Sequence, residues 1–167
     1  GTLGFVAEVT LRTIPVRPHV ATGLLFFASL AAATDALPAL VSSGLAAIEL
    51  LDETSLRVSQ RDPLATPALR AMSVDRQAAL LVEYQDMTAD GLAERVATAA
   101  PLLESLPLVA PAALSGAGAT RADLWHIRKR LYATVAGNRP SGTTALLEDI
   151  AVPVASLAGT CAALLGL

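Results

Sequence analysis

Apolar and polar residues alternate over residues 5–14, and the alternation stops at Pro15 and Pro18. That pattern predicts a strand followed by a break, and it marks the best domain boundary in the chain. Leu24-Leu25-Phe26-Phe27 predicts a second strand, and Ser29 is placed to cap an Ala-rich helix running to Ser43-Gly44. Residues 46–51 predict another strand, with Asp52 positioned to cap a short helix. The polar, proline-containing residues 61–67 predict a loop, and residues 78–84 a further strand. Thr88 opens a long helix to about Leu103, and residues 109–114 predict a strand before a loop at Gly116 and Gly118. Thr120 then starts a helix with Asp123 three positions on, a variant of the capping box. Leu124, Ile127, Leu131 and Val135 form its buried stripe, and Gly137 and Pro140 end it. Residues 143–151 predict a last strand, and a final helix begins near Pro153.

This order of strands and helices predicts an α+β fold: a ferredoxin-like antiparallel sheet with helices packed on one face. A sheet open to water on its other face would alternate apolar and polar residues. Leu24-Leu25-Phe26-Phe27, Ala79-Leu80-Leu81-Val82 and Ala145-Leu146-Leu147 are instead continuous apolar runs. Both faces are therefore expected to be covered, with the second cover supplied from outside the chain. An uncovered apolar face of that size predicts self-association, most simply as a two-fold homodimer.

The totals narrow the classes. At 167 residues the chain suits one domain with a real core. It starts at Gly1 without a basic-then-apolar leader, so the edge reads as internal to a longer polypeptide. A formal net charge of −3 argues against a nucleic-acid partner, which would require a basic face. Cys161 is the sole cysteine, which excludes an internal disulfide and points to a reducing, cytoplasmic setting. Residues 150–167, which follow Glu148-Asp149, carry no charged side chain and approach bilayer-spanning length. Pro153, Gly159 and Gly166 within them favour a strand end and an amphipathic helix.

Few residues offer chemistry. His19 and His126 lack metal-ligand spacing, and each reads as a surface or supporting histidine. Glu49, Glu83 and Glu148 sit in mostly apolar strands, where an acid is costly unless paired. They fit an active-site wall or, more commonly, partners for arginine. Leu124-Trp125-His126-Ile127-Arg128-Lys129-Arg130-Leu131 is the most informative segment. Arg128 lies three positions after Trp125 at the edge of the buried stripe, suited to grip a carboxylate in bidentate fashion or to serve as a structural ion-pair partner.

Three segments, in order, resemble the FAD-linked oxidase family that includes D-lactate, glycolate and D-2-hydroxyglutarate dehydrogenases. The first is Gly1-Thr2-Leu3-Gly4-Phe5-Val6-Ala7-Glu8-Val9-Thr10-Leu11, with Ala7 where the family usually has Thr. The second is Leu124-Trp125-x-Ile127-Arg128-Lys129, and the third is Gly142-Thr143-Thr144 through Glu148-Asp149-Ile150-Ala151-Val152-Pro153. Ile48-Glu49-Leu50-Leu51-Asp52 also fits a strand of the family's cap domain. Arg139-Pro140-x-Gly142-Thr143-Thr144 most resembles members fused to an iron-sulfur module.

The resemblance implies that residues 1–18 are the last strand of an FAD-binding domain with its linker, and that residues 19–167 are a substrate-capping domain continuing past the C-terminus. It implies FAD in the full-length protein, touched from this chain by Gly4 and Val6 but not retained by the chain alone. A metal ion and an iron-sulfur cluster would lie outside this chain. Arg128 matches the helix arginine that binds the substrate carboxylate, and Tyr132 falls where some relatives place a substrate-contacting Thr. Leu147 replaces a substrate Lys of some relatives, implying a different substrate side chain. The implied reaction is oxidation of a small D-2-hydroxyacid to a 2-oxoacid, with electrons passed to a further acceptor, in the cytoplasm or peripherally at the inner membrane face. The competing class is a non-catalytic ferredoxin-like domain for ligand binding or oligomerisation.

Overall fold

The computed structural model describes residues 4–63, 65, 67–137, 139–143 and 151–166. Strands β1 (His19–Phe27), β2 (Ala47–Leu51), β3 (Ala78–Asp86) and β4 (Leu114–Ser115) form one sheet in the order β2-β3-β1-β4, every pair antiparallel. Helix α1 (Leu30–Ser42) joins β1 to β2, and α4 (Ala89–Ser105) joins β3 to β4. This is the ferredoxin-like arrangement expected, and the fold is α+β. Two short helices, α2 (Glu53–Gln60) and α3 (Pro67–Ala71), are inserted between β2 and β3, and α5 (Gly118–Gly137) and α6 (Val154–Leu165) follow β4.

The starts of α1, α2 and α4 were legible because each has a side-chain cap. Ser29 accepts from the Ala32 amide, Asp52 from Ser55 and Thr88 from Gly91, at 3.2, 2.8 and 3.0 Å. Helix α5 differs: it begins two residues before Thr120, with the Arg121 amide donating to the Ala117 carbonyl. Helix α3 begins at Pro67, where the expected loop ends, in a stretch for which the sequence pattern predicted no element.

The two faces of the sheet follow the strand alternation. Leu25, Phe27, Leu80, Val82 and Tyr84 point toward α1 and α4 and form the main core with Leu37, Leu40 and Leu103. The continuous apolar runs do mean that both faces are covered, but the second cover is not missing. Leu51, Ala79 and Leu81 pack beneath Leu56 of α2, Leu69 of α3, and Leu124 and Ile127 of α5. The helices therefore lie on both faces, and the uncovered-face argument for a homodimer loses its premise. Helix α5 lies on the face opposite α1 and α4, a choice of side that sequence periodicity does not encode. Helix α6 packs against α1, and no helix among the described residues is long and apolar enough to cross a membrane.

Two predicted strands differ. Residues 5–14 form no ladder: they run as an exposed arm on which Phe5, Leu11 and Ile14 face solvent. Alternation prepares a strand, but a strand exists only with a neighbour's hydrogen bonds, and the arm has none among the described residues. The fourth strand begins at Leu114 rather than at Val109. Leu108 makes an isolated bridge to Phe27, and the Val109 amide donates to the Phe26 carbonyl at 2.9 Å before the ladder lapses. Pro111, which has no N–H to donate, lies in the gap. The predicted strand at residues 143–151 lies almost wholly outside the described residues.

Where β4 returns to the sheet, it crosses β1 at Gly23. A Cβ there would stand 2.5 Å from the Ala113 carbonyl oxygen and 2.7 Å from Leu114 Cδ2. Gly23→Ala is expected to push β4 off the edge and lower stability by about 1–3 kcal/mol, the usual range for overpacking. A melting curve unchanged from wild type would contradict this close approach.

Candidate functional site

The second face of the sheet carries the chemistry. Cross-strand pairing sets Thr22 beside Glu83 and Glu83 beside Ala47; one row along, Leu24, Leu81 and Glu49 are neighbours. Glu83 and Glu49 therefore occupy adjacent rows of one face, on the inner strand β3 and the edge strand β2. Above them runs α5, where Arg121 and Arg128 are seven residues apart. Two helical turns place both on one side, roughly 10 Å apart along the axis. Each arginine meets one of the acids.

Glu83 is fully buried and its carboxylate is saturated. Arg121 donates from Nε to Oε2 at 2.7 Å and from Nη2 to Oε1 at 3.0 Å. Thr22 Oγ1 and Trp125 Nε1 each donate to Oε2 at 2.7 Å, and Gln85 Nε2 donates to Oε1 at 2.6 Å. The Arg121 guanidinium also lies 5.9 Å from the centre of the Trp125 ring. Burial pushes the Glu83 carboxyl up, but the hydrogen bonds from Arg121, Gln85, Trp125 and Thr22 outweigh it and hold its pKa at about 2. The same contact raises the pKa of Arg121. Glu83 is thus an anion at neutral pH that fastens α5 to the sheet through two side chains of one helical turn.

Arg128 is held differently. Its Nε donates to Glu49 Oε2 at 2.6 Å, and this is its sole polar contact among the described residues. The Arg128 side chain is 45% exposed and that of Glu49 32% exposed, so the pair sits at the rim where a small anion can reach it. Arg121 has spent its Nε–Nη2 edge on Glu83; Arg128 retains Nη1 and Nη2. Of the two alternatives left open for Arg128, the ion pair is present, and its terminal nitrogens, which make no polar contact among the described residues, leave room for the other as well.

The remaining candidates separate from this pair. Tyr132 follows Arg128 by one turn of α5, and its side chain lies outside the described residues, as do Leu147 and Glu148. His126 Nε2 is 3.4 Å from Asp62 Oδ2, close enough for an ion pair yet not aligned for a hydrogen bond. His19 lies at the start of β1. No group of three His, Cys, Asp or Glu residues among the described residues could hold a metal. A cavity of about 420 Å³ lies between the arm at Ile14–Pro18 and the sheet, reaching Gln85 and Arg121 beside the Glu83 hub. A larger one, about 590 Å³, lies across the sheet between α4 and residues 106–114. Its wall is apolar except for Glu104, and it has no part in the arginine–acid arrangement.

Sequence reading found Glu49, Glu83 and Arg128 but did not pair them, and it missed Thr22 and Gln85 altogether. Two arginines seven apart on a helix, with two acids in apolar strands, was a usable signal. Strand register was the information needed to read it.

A family model for FAD linked oxidases, C-terminal domain, matches residues 16–167. The chain belongs to that family, and is the C-terminal part of an FAD-linked oxidase. Membership implies oxidoreductase chemistry, FAD in the full-length protein, and a companion FAD-binding domain in the same polypeptide. No curated protein matches the chain. Of the two residues implied to touch the flavin, Gly4 has open space around it among the described residues and Val6 is exposed on the arm.

Proposed function

We propose that this chain is the substrate-covering domain of a flavoprotein that oxidises a small D-2-hydroxyacid to the 2-oxoacid, and that Arg128 holds the substrate carboxylate. The companion domain's flavin supplies the hydride acceptor. The residues of this chain bind, orient and shield the substrate, with Tyr132 one turn beyond Arg128 as a second contact. Gly4 and Val6 meet the flavin by way of the exposed arm, which pairs with the companion domain. The observation that carries this reading is the half-exposed Arg128 guanidinium, with one nitrogen engaged and its terminal pair open among the described residues. A carboxylate is the group such a fork fits best, through two parallel hydrogen bonds.

The test is turnover by the full-length polypeptide with an artificial electron acceptor. D-Lactate, glycolate and D-2-hydroxyglutarate are compared with their neutral methyl esters or amides. Oxidation of at least one acid and loss of activity with its uncharged derivative is the expected result. Equal turnover of acid and ester would remove the carboxylate from recognition.

A further inference from the structure

The arrangement around Arg128 assigns a role to a second residue. We infer that Glu49 is a positioning residue: it fixes the guanidinium of Arg128 through Nε and so presents Nη1 and Nη2 as the fork for the substrate carboxylate. The inference rests on the proposed function and deepens it.

The geometry carries the argument. An arginine side chain has four flexible torsions, and on an exposed helix face it samples many rotamers. Arg128 is anchored on one helix and Glu49 on the edge strand of the sheet, 79 positions apart in the chain. Their 2.6 Å contact therefore ties the tip of a mobile side chain to the rigid part of the fold. Glu49 itself is fixed by its strand: it pairs across to Leu81 of β3, and Leu51, two residues further along the same face of β2, is buried in the core under α2. A single bond at Nε constrains the plane of the guanidinium while leaving its far edge open. The hub at Glu83 supplies the other coordinate, because Arg121 and Trp125 lock the turn of α5 that precedes Arg128. Orientation set before binding lowers the entropy lost on binding, and it places the substrate's reacting carbon at a reproducible distance.

A competing role is open to the same pair and gives the opposite result. If Glu49 were a stand-in for the substrate carboxylate, removing it would free Arg128 and tighten substrate binding. The positioning role demands that removal weaken it.

The experiment is a double-mutant cycle in the full-length, flavin-loaded enzyme, with Glu49→Ala, Glu49→Gln, Arg128→Ala and the double variant Glu49→Ala/Arg128→Ala. Two readouts are taken: kcat/KM with the most rapidly oxidised acid of the panel, and calorimetric titration with oxalate, a planar dicarboxylate whose binding requires no turnover. Glu49→Ala is expected to lower kcat/KM about tenfold and to weaken oxalate binding by a similar factor. Glu49→Gln, whose amide oxygen still accepts from Nε, recovers most of the loss. In the Arg128→Ala background, Glu49→Ala adds nothing, since there is no guanidinium left to orient. Unchanged or tighter oxalate binding by folded Glu49→Ala overturns the inference, as does a full Glu49→Ala effect without Arg128. If Arg128→Ala is itself unaffected in both readouts, the carboxylate-anchor reading fails instead. Should Glu49→Ala not fold, Glu49→Gln and Glu49→Ser carry the same comparison, with Gln expected to bind oxalate more tightly than Ser.

Discussion

Replacing Arg128 with alanine in the full-length enzyme is expected to remove about 2–5 kcal/mol of transition-state binding, read as a fall in kcat/KM. The substrate of a 2-hydroxyacid oxidation carries a carboxylate next to the carbon that loses hydride. Its position must be set before that transfer, and a planar fork fixes angle as well as distance. Arg128→Lys keeps the charge and loses the second bond, so a loss of about tenfold or more is expected. Lys129→Ala, one position round the helix and exposed, should be mild by comparison. A purely structural Arg128 behaves otherwise. Its pair with Glu49 is half-exposed, and such pairs contribute at most about 1 kcal/mol. Loss of the side chain would then lower the melting temperature slightly and leave KM unaltered. Steady-state kinetics beside melting curves for the three variants separate the two cases.

The largest stability effect belongs to Glu83. Its removal as Glu83→Ala leaves the Trp125 indole N–H, the Thr22 hydroxyl and the Arg121 guanidinium facing a small void. A cost of about 2–4 kcal/mol follows. It falls toward the lower part of the range for a broken buried pair because Arg121 is 41% exposed and can turn to water. Acid should reproduce part of this loss. The folded pKa of about 2 lies below the ordinary value of 4.5, so the contribution is complete above about pH 4.5 and is lost as pH falls from there toward 2. Melting temperatures across that window should decline more steeply for wild type than for Glu83→Gln, which has no proton to gain at this position. Parallel declines would place the acid sensitivity elsewhere.

Local rules made the fold legible wherever one residue decides the outcome. Ser29, Asp52 and Thr88 each start a helix because a side-chain oxygen satisfies an otherwise free amide. The continuous apolar strands announced two covered faces, again a local inference. What could not be read was the partner of each surface. Whether α5 lay on the side of α1 or the opposite side depends on the path through the Gly116–Gly118 turn, and no periodicity encodes that path. The arm at residues 5–14 shows the same limit: its alternation is that of a strand, but pairing is a property of two segments. At the site, the buried acids signalled a need for partners, yet register alone revealed that Glu83 meets Arg121 and Glu49 meets Arg128.

The most direct test of the central claim is anaerobic titration of the full-length flavoprotein, followed by the absorbance of its flavin. D-Lactate, glycolate or D-2-hydroxyglutarate is expected to bleach the oxidised flavin, the L-enantiomer of a chiral acid is not, and Arg128→Ala is expected to raise the concentration required by about tenfold or more. A flavin that stays oxidised with every 2-hydroxyacid, or one bleached at the same concentration with and without Arg128, would contradict it.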